Sequence, residues 1–279
     1  MIVAGAAVAG ATIALALWTA LRPTFAAPLL ARRNWRDRDV PTAAGIVLVL
    51  TVVMVEAGRV LLDGRLRAND GGVRLAIVIT VVGLGLLGTV DDLLGDASSR
   101  GFRGHLNALR EGRLTTGLLK LGGGAAVALV ACAVLAGSSP AGRGQLLADG
   151  ALVALAANLG NLLDRAPGRV IKSSIVAFVL LAFAASAAQL AAVAVVVGAG
   201  VGLLLPDVRE RLMLGDAGAN PLGGALGVGV VAACAPSTRV GVLVVLVALN
   251  AVAEVVSFSR VIEAVPPLRA ADRWGRPPA

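Results

Sequence analysis

Three short clusters of acidic and amide side chains lie at the ends of long apolar stretches of this sequence, in residues 88–96, 158–164 and 214–223. The first contains adjacent carboxylates, Asp91 and Asp92, which raise each other's pKa unless they share a cation. Carboxylate and amide oxygens are ligands that suit magnesium, and bound magnesium pairs with substrate phosphates. The clusters together indicate a site for a divalent cation and a phosphate.

Each cluster taken alone has a simpler interpretation. The adjacent carboxylates are also typical of a solvated helix cap, and the third cluster on its own is typical of a turn. The polar side chains of the second cluster recur every three residues and so share one helical face, where amides also form hydrogen bonds between membrane helices. These side chains are Asn158, Asn161 and Asp164. Three clusters on one face of a membrane favour a shared site.

Basic and hydroxyl side chains near the first cluster extend this interpretation. Residues 100–105 and 115–120 combine basic residues, glycines and paired threonines, which can surround a diphosphate. Lys120 opens an apolar stretch, where a buried ammonium is costly and is usually functional or paired; the alternative is that its side chain extends to the interface. His105 is the only histidine, which excludes a histidine-rich metal site and a His-based triad. We assign His105 to substrate binding, with a structural role as the alternative.

The composition excludes a soluble enzyme, a disordered tail and a disulfide scaffold. The chain has 279 residues, of which 57% are hydrophobic and 15% are charged, and its mean hydropathy is +0.86, whereas a soluble domain carries about 25% charged residues. Residues 1–21, 121–142 and 173–206 contain no charge at all. About 20 apolar residues suffice to span a bilayer as a helix, so the sequence predicts a polytopic membrane protein.

The apolar stretches predict an all-α transmembrane bundle of about nine spans. The uncharged run 173–206 would be about 50 Å long as one helix, so we divide it into two. The predicted helices are 2–21, 43–61, 75–90, 115–136, 147–163, 172–187, 189–205, 219–235 and 239–258. We expect one integral membrane domain over residues 1–279.

The distribution of basic residues predicts the orientation of this bundle. Alternate connections on one side hold 19 of the 25 Lys and Arg residues, so the positive-inside rule places that side in the cytoplasm, the N-terminus outside and the C-terminus inside. The predicted cytoplasmic segments are 22–42, 91–115, 164–172, 206–218 and 259–279. The net charge of +8 therefore indicates a phosphorylated substrate at a cell (inner or plasma) membrane, and not a nucleic acid.

The order of these motifs resembles that of the polyprenyl-phosphate N-acetylhexosamine-1-phosphate transferases, a superfamily that includes phospho-N-acetylmuramoyl-pentapeptide transferase. The resemblance rests on VDD at 90–92, NLGNLLD at 158–164 and MLGDAGAN at 213–220, with EVVS at 254–257 as a further match. It extends from about residue 32 to residue 276. Members of that superfamily have ten or eleven spans, so nine would be a shortened version.

The resemblance implies that a membrane polyprenyl phosphate attacks the β-phosphate of a cytoplasmic UDP-sugar for cell-envelope polysaccharide or peptidoglycan assembly. The products would be a polyprenyl-diphospho-sugar and UMP, with Mg²⁺, or Mn²⁺ in its place, as the cofactor. By position, the implied catalytic residues are Asp91, Asp92 and Asp216, with Asp216 and Asp92 as metal ligands. The residues assigned to substrate binding are Lys120, Asn158, Asn161, Asp164, Arg165, Arg169 and His105. The resemblance also makes a homodimer plausible.

Two departures from the family pattern concern the donor. The family's histidine-rich loop corresponds to residues 266–270, which contain no histidine. Where the pentapeptide branch has Asp-Gly-x-Asp-Gly, this chain has Pro167 in place of the second acid. We therefore expect an atypical branch, in which Arg165, Arg169 and Arg269 supply phosphate contacts.

Two other functions stay open at this point. A catalytically weakened homologue that binds lipid phosphate or scaffolds envelope assembly would explain the missing histidines. A transporter would use Glu56 or Glu254 as an ion site, but the acids gather at one membrane face and the sequence shows no internal repeat.

Overall fold

The computed structural model describes residues 2–34, 36–63, 71–95, 115–137, 142–185 and 187–277. Within these ranges the chain forms eleven α-helices and one two-stranded sheet. The helices are α1 (Ile2–Phe25), α2 (Ile46–Asp63), α3 (Gly71–Leu94), α4 (Thr116–Ala136), α5 (Arg143–Leu163), α6 (Arg169–Ala184), α7 (Ala191–Val208), α8 (Asp216–Ala233), α9 (Pro236–Ala253), α10 (Phe258–Ala264) and α11 (Pro266–Arg273). Two 3-10 turns cover Pro28–Leu30 and Ala187–Leu190.

The predicted all-α class is confirmed, and each of the nine predicted apolar segments coincides with one of the helices α1 to α9. Six of the described helices are long and apolar enough to span a membrane: α1, α3, α4, α5, α7 and α9. Of the other three, α2 carries three charged residues, α6 has only 16 residues, and α8 is rich in glycine and begins with an aspartate. The protein is therefore a helical membrane protein with six candidate spans, and the count of nine stays a prediction.

A small β-hairpin was not predicted. Strands β1 (Ala31–Arg33) and β2 (Asp39–Pro41) are antiparallel, with Arg32 opposite Val40. The backbone N–H of Met213 donates to Pro41 O at 2.7 Å, and that of Gly45 donates to Leu214 O at 2.9 Å. The hairpin and the start of α2 therefore hold the extended segment that leads into α8.

Helix α7 lies at the centre of the bundle and packs along α1. A Cβ atom built on Gly198 would lie 2.1 Å from Ala7 O, and one on Gly202 would lie 2.3 Å from Ala11 O. Small residues allow membrane helices to approach until their backbones touch, which maximises van der Waals contact where no hydrophobic effect drives association. Glycine is thus required at both positions.

Helix α8 packs between α3 and α5 by the same means. A Cβ on Gly88 would lie 2.3 Å from the backbone carbonyl of Asp216, and one on Gly223 would lie 2.2 Å from Ala156 O. These contacts place the N-terminus of α8 directly beside the C-terminal ends of α3 and α5. The opposite end of the bundle has two ion pairs between helices, Arg74–Glu56 at 2.6 Å and Arg239–Asp149 at 3.2 Å.

Candidate active site

Lys120 lies at the centre of a carboxylate cluster formed where α3, α4, α5 and α8 meet. Its ammonium donates a hydrogen bond to Asp216 Oδ2 and lies 3.7 Å from Asp91 Oδ2. With its amide nitrogen turned towards Asp216, Asn161 donates to Asp216 Oδ1 at 2.7 Å, and its amide oxygen accepts from Lys120 Nζ at 2.5 Å. The structure thus brings together four of the residues that the sequence assigned to a site.

Lys120 is positioned by the start of α4. Thr115 caps this helix, since its hydroxyl oxygen accepts a hydrogen bond from the backbone N–H of Leu118 at 3.2 Å. Lys120 follows in the next turn, and its side chain is 15% exposed, so the ammonium turns inwards to the carboxylates and does not extend to solvent. The paired interpretation of Lys120 is the one that the geometry supports.

Asp92 caps helix α8 from a distant part of the chain. Its Oδ1 accepts from the backbone N–H of Asp216 at 2.9 Å, and its Oδ2 accepts from that of Ala217 at 3.0 Å. A carboxylate at this place satisfies unpaired helical N–H groups and favours the positive end of the helix dipole. Gly215 precedes the helix with φ +68°, a backbone conformation that side chains rarely adopt.

Asp164 ends helix α5 and faces the same helix start. Burial raises its pKa well above the ordinary value, and the nearby carboxylates of Asp207, Asp216 and Asp92 raise it further. A hydrogen bond from the backbone N–H of Gly215 acts in the opposite direction. Asp207 in turn accepts a hydrogen bond from the N–H of Gly168 at 2.9 Å. Asp207 lies in the predicted cytoplasmic segment 206–218 but is not among the site residues predicted from the sequence.

Acidic side chains outnumber basic ones in this cluster. Five carboxylates interact here, and Lys120 is the cation that contacts two of them directly; the carboxylates are Asp91, Asp92, Asp164, Asp207 and Asp216. Clustered carboxylates are costly unless a cation is shared among them, and their oxygens are hard ligands of the type that magnesium prefers. The donor set therefore fits a divalent cation. Within the described ranges, however, no three His, Cys, Asp or Glu side chains are already arranged around a metal position.

Two of the assigned residues have other partners, and a third is exposed. Asn158 Nδ2 donates to Asn250 Oδ1 on α9 at 2.7 Å, which is the interhelical hydrogen bond considered as the alternative. Arg169 binds Asp272 near the C-terminus. The side chain of Arg165 is exposed beside Asp164, where it can reach a soluble substrate. His105 and Asp96 lie outside the described residues.

An apolar groove ends beside this site. It has a volume of about 180 Å³ and is bounded by α5, α6, α8 and α9. Along α5 its lining runs from Leu152 to Leu163, the residue before Asp164, and Ser173 and Ser174 of α6 also line it. Because its walls are almost entirely hydrocarbon, the groove suits an alkyl or isoprenoid chain whose polar end lies near the carboxylates.

Comparison with known proteins adds no further assignment. No protein-family model matches the chain, and no curated protein matches it.

Proposed function

We propose that this protein transfers a sugar-1-phosphate from a UDP-sugar to a membrane polyprenyl phosphate and releases UMP. The observation that carries the proposal is the position of Lys120 between Asp216, Asp91 and Asn161, at the joined ends of four helices. Phosphoryl transfer requires positioning and charge neutralisation more than covalent chemistry from the protein. A lysine and clustered carboxylates supply these functions.

In this proposal the acceptor enters through the apolar groove. Its isoprenoid chain lies between α5 and α6, and its phosphate reaches the cluster past Leu163. A groove that opens along the helices allows a lipid to enter from the bilayer. The donor is soluble and approaches from the side of the loop 164–168, where Arg165 is exposed.

The reaction forms one P–O bond and breaks another. An oxygen of the acceptor phosphate attacks the β-phosphorus of the donor, and the bond from that phosphorus to the oxygen bridging it to the α-phosphorus breaks. UMP leaves with that oxygen. Lys120 neutralises the charge that develops on the phosphate oxygens.

A magnesium ion, when bound, neutralises diphosphate charge and orients the phosphates in reactions of this class. Asp216 and Asp91 would hold it. Both carboxylates face Lys120, and their negative charges repel each other, which a shared cation relieves. Asp92, the other expected ligand, already uses both oxygens to cap α8, and its primary role is to fix the position of Asp216. Manganese has compatible ligand chemistry.

The proposal is tested with the purified full-length protein in lipid nanodiscs. Undecaprenyl phosphate, Mg²⁺ and a panel of UDP-sugars are added, and UMP release is followed. We expect release with at least one donor, and a loss of at least about 100-fold in Asp216→Asn, the scale seen when a charge-stabilising group is removed. The end of the bundle that carries the carboxylate cluster and the basic loops is expected to face the cytoplasm.

Asp149→Asn is the matched control, because it also removes a charge from an ion pair between helices but at the opposite end of the bundle. This variant is expected to lose stability and to keep its turnover per folded molecule. Absence of UMP release with every donor would contradict the proposed transferase activity. Binding of undecaprenyl phosphate without any release would instead support the non-catalytic lipid-phosphate protein considered from the missing histidines.

A further inference from the structure

The C-terminal residues 265–277, here termed the strap, cross the end of the bundle that carries the carboxylate cluster. The strap contains α11 and is joined to three separate parts of the chain, which are the loop 164–168, the first turn of α6 and the tip of the β-hairpin. None of these contacts belongs to the proposed chemistry. They nevertheless converge on the segments that carry Asp164 and Asp216.

The first attachment is a buried ion pair. Arg169 Nε donates to Asp272 Oδ1 at 2.8 Å and Arg169 Nη2 donates to Asp272 Oδ2 at 3.0 Å, with both side chains 8% exposed. Arg276 Nη2 lies 2.7 Å from the same Oδ1. A two-pronged guanidinium–carboxylate contact fixes orientation as well as distance. The strap is therefore held to Arg169, the first residue of α6.

The second attachment involves backbone carbonyls. Lys172 Nζ donates to the carbonyls of Ala271, Asp272 and Trp274 at 3.1, 2.9 and 2.7 Å, where α11 ends. A cation at this position satisfies the unpaired carbonyls of a helix C-terminus. Arg276 Nε donates to Pro167 O at 3.0 Å, inside the loop that follows Asp164.

The third attachment lies at the far end of the strap. Arg36 Nη2 donates to Pro277 O at 3.0 Å, and Arg36 Nε lies 3.1 Å from Glu210 Oε1. Glu210 has a positive φ of 56° and also accepts a hydrogen bond from Asn34 Nδ2 at 3.1 Å. It belongs to the connection that leads from α7 to Asp216. The strap thus links the hairpin and this connection to the loop after Asp164.

We propose that the strap sets the position of Asp164 against the start of α8, and that Asp272 is the positioning residue that makes it do so. Asp272 touches no residue of the carboxylate cluster in the contacts described. It acts through Arg169, which directly follows the loop 164–168, and through Arg276, which donates to Pro167 O within that loop. The positional effect stands on the contacts alone. Its consequence for turnover rests on the proposed function.

Hydrogen exchange of the full-length protein in nanodiscs, followed by mass spectrometry, tests the proposal without any substrate. Asp272→Asn is expected to accelerate exchange in residues 164–172 and 265–277 by about tenfold, because the segments lose the interaction that holds them closed. Exchange in residues 116–136 is expected to stay unchanged. Asp272→Glu keeps the charge and is expected to restore slower exchange.

Glu263→Gln is the matched control, since Glu263 forms an ion pair with Arg273 of the strap, and both side chains of this pair are more than half exposed. Exposed pairs contribute little to stability, so this variant should exchange like the wild type. If Asp272→Asn does not fold, Arg276→Gln takes its place, because it removes the Pro167 contact and one contact to Asp272. Unchanged exchange in residues 164–172 would overturn the proposal, as would an equal acceleration in Glu263→Gln.

Turnover provides the second readout. Asp272→Asn is expected to raise the KM for the nucleotide-sugar about tenfold and to change kcat less, because Asp164 would be displaced while Lys120 and Asp216 stay in place. A fall of about tenfold in kcat with an unchanged KM would contradict the assignment of Asp272 as a positioning residue for the donor. If the wild type releases no UMP but Asp272→Asn accelerates exchange as expected, the proposed function is contradicted and the positioning role of the strap is still supported.

Discussion

Lys120, in the first turns of α4, forms an ion pair with Asp216, the first residue of α8, across 96 residues of sequence. The same ammonium lies 3.7 Å from Asp91 on α3. One cation therefore joins the ends of three helices and reduces the repulsion between the two carboxylates. Removing it leaves Asp216 and Asp91 facing each other in a partly buried position.

Lys120→Met is expected to reduce UMP release by at least about 100-fold, because the reacting phosphates lose a cation that stabilises developing charge. Lys120→Arg keeps the charge but changes its shape and hydration, and it should retain part of the activity. Arg239→Met removes a comparable cation at the opposite end of the bundle and should keep turnover per folded molecule. Equal losses in Lys120→Met and Arg239→Met would show that the effect is only structural.

Asn158 and Asn161 are expected to behave differently, although they lie three residues apart on one helical face. Asn161→Ala removes a partner of both Asp216 and Lys120 and should abolish most UMP release. Asn158→Ala removes a bond to Asn250 and should cost about 0.6 kcal/mol of stability, the average for such bonds between membrane helices. Kinetics and unfolding in mixed micelles measure both. A strong loss of activity in Asn158→Ala at full stability would place Asn158 back in the site.

Gly88→Ala tests whether close packing positions Asp216. The added Cβ would lie 2.3 Å from the backbone of Asp216, so α3 and α8 must separate, at a cost of about 1–3 kcal/mol for overpacking. UMP release by this variant should fall together with its stability. Gly72→Ala is the control on the same helix, because its Cβ would lie 3.7 Å from Val134 O, an ordinary contact. A Gly88→Ala protein with normal stability and turnover would contradict the packing argument.

The stability contributed by Asp272 should depend on pH in a definite direction. Burial acts to raise the pKa of Asp272, but the hydrogen bond and charge of Arg169, with Arg276, outweigh burial and hold that pKa below its usual value of 3.8. Because the pKa is lower in the folded protein than in the unfolded chain, the contribution is complete above pH 3.8 and is lost as the pH falls through the lower folded value.

The measurement compares the free energy of unfolding of the wild type with that of Asp272→Asn across pH. The difference should be roughly 3 kcal/mol, the lower end of the cost of leaving a buried ion partner unpaired, and constant from pH 8 to about 4. It should narrow at more acidic pH. A difference that instead disappears between pH 8 and pH 5 would contradict the assigned ion pair.

A larger side chain in the groove should affect the lipid and not the nucleotide-sugar. Ala177 on α6 lines the groove, so Ala177→Trp would fill part of it and raise the KM for undecaprenyl phosphate about tenfold, which corresponds to about 1.4 kcal/mol of lost lipid binding. Val176→Trp is the neighbouring control, because Val176 is 60% exposed and does not line the groove. Initial rates with varied lipid and fixed donor distinguish the two. An increase in the donor KM alone would place the lipid elsewhere.

The long apolar segments and most of the cluster were predictable from the sequence. Absence of charge over about 20 residues has one stable solution in a membrane, which is a helix, and acids at helix ends on one side must lie near one another. The partners were not predictable. Asn161 and Asn158 have the same spacing signal, and only the rotation of α5 against α8 and α9 decides that one meets Asp216 and the other Asn250.

Arg169 shows the same limitation. Its type and position suit a phosphate contact, yet the structure places its guanidinium on Asp272, 103 residues further along. The β-hairpin was also missed, since strands of three residues are too short to give an alternating pattern. Gly88 carried a signal that was not used: a glycine one turn before Asp91 and Asp92 marks a close backbone approach.

The glycine contacts between α1 and α7 impose an order on how this protein is made. Helix α1 is synthesised before its main packing partner, α7, which begins at residue 191. At synthesis rates of about 5–20 residues per second, α1 waits roughly 10 to 40 s before that partner exists. During this time it must be stable in lipid without α7, which agrees with its 20 uncharged residues before Arg22. The contact between α1 and α7 therefore forms only after α2 to α6 have been synthesised.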